Sequence, residues 1–199
     1  MEKVISIVGA GGKTTLVHKL AREYHRSGKG VLVTTTTHMY VEADTDLSCD
    51  FFALRDKIIK DGYCMAGQKI SEQKISEQSK PKMCGLPYDL LDKLMKDMPQ
   101  ALDYVIIEAD GAKHYSLKYP AADEPVIYPG TTDVIIVLGT WEKGKLCKDV
   151  VFRYELMQNE LGMAEDVVVD DSVIDMLRQV YVKKLRDSGF EGRISTYYR

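Results

Sequence analysis

Residues Gly9, Ala10, Gly11, Gly12, Lys13, Thr14 and Thr15 run consecutively and have the make-up of a phosphate-binding loop. Glycines let several backbone N–H groups turn toward one point and let a phosphate approach with no Cβ in the way. A helix beginning at Lys13 adds unpaired N–H donors and a partial positive charge. Lys13 then reaches β- and γ-phosphate oxygens, and the Thr14 hydroxyl ligates Mg2+. The implied chemistry is binding, hydrolysis or transfer at the phosphates of ATP or GTP. In the usual G-x-x-x-x-G-K-[ST] pattern the first glycine falls where this chain has Ile7, so the loop starts tighter or on a longer strand. The plain alternative is a glycine turn that binds nothing.

Carboxylates suited to the same chemistry follow in Glu108-Ala109-Asp110-Gly111. Acidic side chains ending an apolar strand are costly unless paired or metal-bound, and Mg2+ takes carboxylate or water-mediated ligands. Residues two apart on a strand share a face, so Glu108 and Asp110 are expected to act together on the metal, unless they simply cap a loop. The run Thr34-Thr35-Thr36-Thr37-His38 ends another strand, and ligands of open parallel sheets bind beyond such ends. Thr36 is a candidate metal ligand, and Thr37 and His38 are candidate substrate contacts. Four threonines also simply make a good strand. Lys113 and Lys118 can contact a second substrate or a phosphoryl group, or can be solvated lysines. His18 and His25 have no evident partner.

These groups need a scaffold. Residues 4–8 (VISIV), 31–37 (VLVTTTT), 104–109 (YVIIEA) and 133–139 (DVIIVLG) are apolar or β-branched runs of the kind buried on both faces of a parallel sheet. Helical patterns occupy 13–26, 51–60, 87–98, 152–161 and 171–187, the last capped from Asp170, Asp171 or Ser172. The tail GRISTYYR suits a last strand. Residues 117–130, rich in proline, are too irregular for a crossover helix. The tandem KISEQ-KISEQ at 69–78 has a period that fits neither helix nor strand and suggests a polar loop or frayed hairpin. Strand–helix alternation predicts an α/β fold, a mostly parallel sheet with flanking helices in one domain over 1–199.

Composition sets the outer bounds. The 199 residues are 45% hydrophobic and 29% charged, which excludes a disordered or collagen-like chain. A net charge of −3 argues against a general nucleic-acid binder. No run approaches the roughly 20 apolar residues of a membrane span, and the N-terminus lacks a signal-peptide pattern. Cys49, Cys64, Cys84 and Cys147 are widely spaced, as expected of reduced thiols in the cytoplasm.

In order, VGAGGKTT, VLVTTTTHM, IIEADGA, LKYPAADEPVIYP and IIVLG resemble the YqeC family over most of residues 4–155. That resemblance implies a P-loop NTPase-like, three-layer sandwich. It also implies an accessory role in selenium-cofactor biosynthesis or insertion for a molybdenum hydroxylase, with the hydroxylase or maturation proteins as partners. By the family motif, Lys13, Thr14, Glu108, Asp110, Lys118 and Glu124 take functional weight. Lys13, Glu108, Asp110 and Lys118 are the expected catalytic residues, and Lys118 and Glu124 are also candidate substrate contacts. The chain is similar, more broadly, to metal-cofactor-loading GTPases and ATPases. It lacks their N-K-x-D base-reading motif and is short after residue 189, which leaves the base open. The leading expectation is a Mg2+-dependent, slow NTPase. A small-molecule kinase or nucleotide-dependent transferase, and a non-catalytic nucleotide-gated chaperone, are the alternatives.

Overall fold

The computed structural model describes residues 3–70 and 81–199. The KISEQ tandem lies, from residue 71 onward, outside the described residues. The elements run β1 (Lys3–Gly9), α1 (Lys13–Arg26), β2 (Val31–Thr35), β3 (His38–Tyr40), α2 (Phe51–Asp61), β4 (Tyr63–Met65), β5 (Gln68–Lys69), β6 (Lys82–Cys84), α3 (Tyr88–Asp97) and β7 (Tyr104–Glu108). They continue with β8 (Leu117–Lys118), β9 (Asp133–Leu138), α4 (Cys147–Val150), β10 (Val151–Phe152), α5 (Tyr154–Leu161), α6 (Asp171–Asp187) and β11 (Arg193–Tyr198).

Six strands form one sheet in the order β11-β9-β1-β7-β2-β4. Its β2–β4, β2–β7 and β9–β11 ladders all run parallel. The fold is therefore the α/β class that the alternating sequence predicts, a parallel sheet flanked by helices as in P-loop NTPase-like sandwiches. Two small ladders stand apart from it, β3-β6-β5 and β10-β8. Consecutive strands β1 and β2 are not neighbours, because β7 is inserted between them.

By contact density the chain divides into two units. The first comprises Met1–Ser6, Thr14–Ala109 and Ile127–Thr132. On one face of its strands, Leu32, Cys64, Val105 and Ile107 pack with Leu54 and Ile58 of α2 and Leu91 and Leu94 of α3. Side chains alternate along β7, so Tyr104 faces the other way from Val105 and stacks on Tyr24 of α1 with ring centroids 3.8 Å apart. Helices thus cover both faces here, which is why β2 is buried along its whole length. Asp50 caps α2 by accepting from the Ala53 N–H, and Gly62 ends it in the left-handed region.

The second unit comprises Ile7–Lys13, Asp110–Val126 and Asp133–Arg199. β11 pairs with β9 along its full length, Arg193 to Tyr198 against Asp133 to Leu138, so the tail supplies the expected last strand. Asp170 caps α6 by accepting from the Val173 N–H, and α6 buries Val173, Ile174, Leu177, Tyr181 and Leu185. β10 pairs with β8 and sets Phe152 opposite Lys118.

Two expected boundaries move. β2 ends at Thr35 rather than Thr37: after a last bond from the Thr36 N–H to the Glu108 carbonyl of β7, the Thr37 N–H turns back to the Thr35 hydroxyl. His38 instead begins β3, in the separate antiparallel ladder. The helix expected from 152 starts at Tyr154, since Phe152 is taken up in β10. All four cysteines are free thiols, and burial pushes Cys64 up to about 12 and Cys147 up to about 11, so both stay protonated and unreactive. Among the described residues, no helix is long and apolar enough to cross a membrane.

Candidate functional site

The glycine loop follows β1 directly and α1 follows the loop, the strand–loop–helix setting that the motif requires. Gly9, Gly11 and Gly12 all have positive φ, at 90°, 84° and 115°. At Gly11 a Cβ would stand 2.4 Å from the Ser116 carbonyl oxygen and 2.8 Å from the Gly139 Cα, so no side chain fits. Lys13 is 6% exposed, and its ammonium donates to the Gly9 carbonyl at 2.6 Å. The cation thereby lies on the loop that precedes it.

In the first unit, Thr14 Oγ1 donates to Glu108 Oε2 at 2.7 Å. The two come together because β7 ends at Glu108 and Thr14 opens α1. A hydroxyl and a carboxylate in contact at that point are oxygen donors of the kind Mg2+ accepts, the rest of its shell normally coming from phosphate and water. Among the described residues, no cluster of three or more His, Cys, Asp or Glu could hold a metal without such help. Thr34 and Thr35 are buried, and their hydroxyls hold the Leu86 N–H and the Glu108 carbonyl. Thr36, Thr37 and His38 line a groove with Gly85 and Tyr88. A Cβ on Gly85 would meet the Thr35 carbonyl oxygen at 1.7 Å, so that wall is bare backbone.

The strand alternation expected over Glu108 and Asp110 does not extend to Asp110. β7 stops at Glu108, and Asp110 has a φ of 82°, off the strand geometry. Asp110 is 1% exposed and belongs to a buried network in the second unit. Its Oδ2 accepts from the Tyr181 hydroxyl at 2.8 Å, and its Oδ1 is ion-paired with Lys118. Lys118, fully buried, also meets Glu124 Oε2 at 2.8 Å and donates to the Gly111 carbonyl at 2.6 Å. Arg153 grips both oxygens of Glu124. Lys118 is therefore no solvated lysine: its N–H donors are committed to the 110–124 segment. Lys113 is exposed and lies over the Phe152 ring.

Charge balance explains the titration of this network. Burial pulls Lys118 down to about 8, against the opposing charge of Glu124. Burial raises the Glu124 carboxyl, but Arg153, Lys118 and the Ala121 N–H outweigh it and hold it at about 2. Tyr181 is pushed well above its ordinary range, first by burial and then by Glu124, and stays a donor to Asp110. Asp110 and Arg153 both sit at positive φ, strain that a tightly specified network sustains. Arg153 and Tyr181 carried no signal in the sequence, since one adjoins a short strand and the other reads as an ordinary apolar-face residue of α6.

A family model described as YqeC protein matches residues 5–155. That span takes in the glycine loop, Glu108 and the network up to Arg153, and stops short of Tyr181. A relative from Escherichia coli (strain K12), "Uncharacterized protein YqeC", is 31% identical over 175 residues, covering 83% of this chain and 63% of the relative. The chain thus spans less than two thirds of the length of the curated relative it matches.

Proposed function

We propose, from the premise that this chain belongs to the YqeC family, that it binds a nucleoside triphosphate with Mg2+ and hydrolyses it slowly. The observation that carries this reading is the loop: three positive-φ glycines ahead of a buried lysine at a helix start. Backbone N–H groups in such a loop converge on phosphate oxygens, and Lys13 adds the compensating charge. Thr14 and Glu108 would hold Mg2+, which when bound neutralises phosphate charge and activates the γ-phosphoryl group. Thr14 Oγ1 donates to Glu108 Oε2, and in this reading the carboxylate would orient a water or accept a proton through that hydroxyl. Asp110 and Lys118 position the segment after β7 and are not assigned a phosphate contact.

Support for the maturation role, assistance to selenium-cofactor biosynthesis or insertion for a molybdenum hydroxylase, is the family resemblance. A second reading, phosphoryl or nucleotidyl transfer to a small acceptor, draws on the groove of Thr36, Thr37 and His38. The two separate on products: phosphate released without an acceptor supports hydrolysis, and a modified small molecule supports transfer. The first test is a thermal-shift panel of ATP, GTP, CTP and UTP with and without Mg2+. A ligand that binds only the folded state raises apparent stability, so at least one triphosphate with Mg2+ should raise the melting temperature. No shift with any of the four contradicts the reading.

A further inference from the structure

A phosphate loop says nothing about the base, and the familiar base-reading motif is missing from this sequence. In the second unit, however, the walls of the loop lead to one aromatic side chain. Gly11 abuts Gly139, whose Cα lies 2.8 Å from where a Gly11 Cβ would stand. A Cβ on Gly139 would in turn meet the Trp141 ring at 3.0 Å. The Arg199 side chain closes the other side, with Cδ and one guanidinium nitrogen 2.8 Å from the Cβ position of Gly12. Its guanidinium carbon lies 5.3 Å from the Trp141 ring centroid. The indole and guanidinium thus stand together beside the loop, following β9 and β11, where ligands of parallel sheets bind.

Hydrogen bonds hold the turn that carries the ring. The Arg199 carbonyl accepts from the Thr140 N–H at 2.8 Å and from the Thr140 hydroxyl at 2.6 Å, and the Arg199 N–H donates to Leu138 at 3.1 Å. Below the turn, buried Glu142 accepts from the Ser116 hydroxyl at 2.7 Å and pairs with Lys145. Trp141 nonetheless leaves 47% of its surface exposed. A large aromatic ring that keeps this much surface in water, with a guanidinium over it, is suited to stacking a flat ligand. Arginine is the cation that adds a second stacking plane.

We infer that Trp141 and Arg199 form the base platform of the nucleotide site, taking the purine ring of a purine nucleoside triphosphate whose phosphates occupy the loop. This rests on the phosphate-loop reading and adds to it the residues that hold the base. Purines present the larger π-face, so ATP and GTP should bind more tightly than CTP and UTP.

Trp141 is the chain's one tryptophan, so its fluorescence reports the platform alone. The test compares ATP, GTP and inorganic tripolyphosphate, each with Mg2+, on wild type, Trp141→Ala, Trp141→Phe and Arg199→Gln. In wild type the purine triphosphates should quench Trp141 and bind more tightly than tripolyphosphate. Trp141→Ala should weaken ATP and GTP about tenfold, the size of one lost base–aromatic stack, and leave tripolyphosphate unchanged. Trp141→Phe should restore most of the loss, and Arg199→Gln should weaken the purines by a smaller factor. If tripolyphosphate binds wild type but Trp141→Ala leaves ATP and GTP affinity intact, the platform is wrong and the phosphate loop stands. Equal loss for ATP and tripolyphosphate also overturns it. If neither ATP nor tripolyphosphate binds wild type, both readings fall together.

Discussion

Among the described residues, two lysines, Lys13 and Lys118, are buried in opposite settings. Lys13 is 6% exposed and donates to a loop carbonyl, among backbone shaped by glycines that leave no room for side chains. Lys118 is 0% exposed and lies between two carboxylates, with a second cation, Arg153, beyond them. In the network, two cations and two anions cancel, and every partner comes from the protein. In the loop, positive-φ glycines and a buried lysine stand at a helix start, the setting on which the proposed phosphate site rests. Buried charge set against bare glycine backbone is a candidate for ligand chemistry. Where the surroundings are complementary charges, it specifies a conformation.

Removing a partner from the network should produce the largest loss of stability. Lys118→Ala leaves Asp110 and Glu124 buried without their shared cation and should cost about 3–5 kcal/mol in urea unfolding. A loss under about 1 kcal/mol would mean that water already reaches this pair, and the contrast would fail. Next comes Gly11→Ala, which places a Cβ against Ser116 in a left-handed backbone. It should abolish triphosphate binding and lower stability by about 1–3 kcal/mol; unchanged binding would remove the loop's steric argument. Tyr181→Phe deletes one donor to buried Asp110 and should cost about 1–2 kcal/mol with triphosphate affinity unaltered.

The remaining test reads pH dependence. Glu124 titrates near 2 in the folded chain, against an ordinary value of 4.5. Its contribution to stability is complete above about 4.5 and disappears as pH falls toward 2. Lys118 is shifted from 10.5 down to about 8, so between those values the unfolded chain binds more protons and stability rises with pH. Unfolding free energies measured across both windows should show both slopes, and Glu124→Gln should remove the acid one. A wild-type profile flat in acid would contradict the placement of Glu124 against Arg153.

The same contrast explains how much the sequence disclosed. The loop was legible because every device in it is local: an apolar run, consecutive glycines and a helical period. The sheet class and last strand were legible for the same reason. The outer members of the Lys118 network were not, because they come from distant positions: Tyr181 lies 71 residues from Asp110, and Arg153 lies 29 from Glu124. Period-two alternation misled at Asp110, where the positive φ of one residue ends the strand geometry. His18 likewise had no visible partner, yet it lies 3.2 Å from Glu42 across a turn of chain that no periodicity connects.

Calorimetric titration of wild type and Lys13→Ala with ATP or GTP in the presence of Mg2+ tests the central claim most directly. The account predicts saturable one-to-one binding to wild type and none to Lys13→Ala, with both proteins unfolding at similar urea concentrations. Equal affinities for the two proteins, or no heat from either nucleotide on wild type, would contradict it.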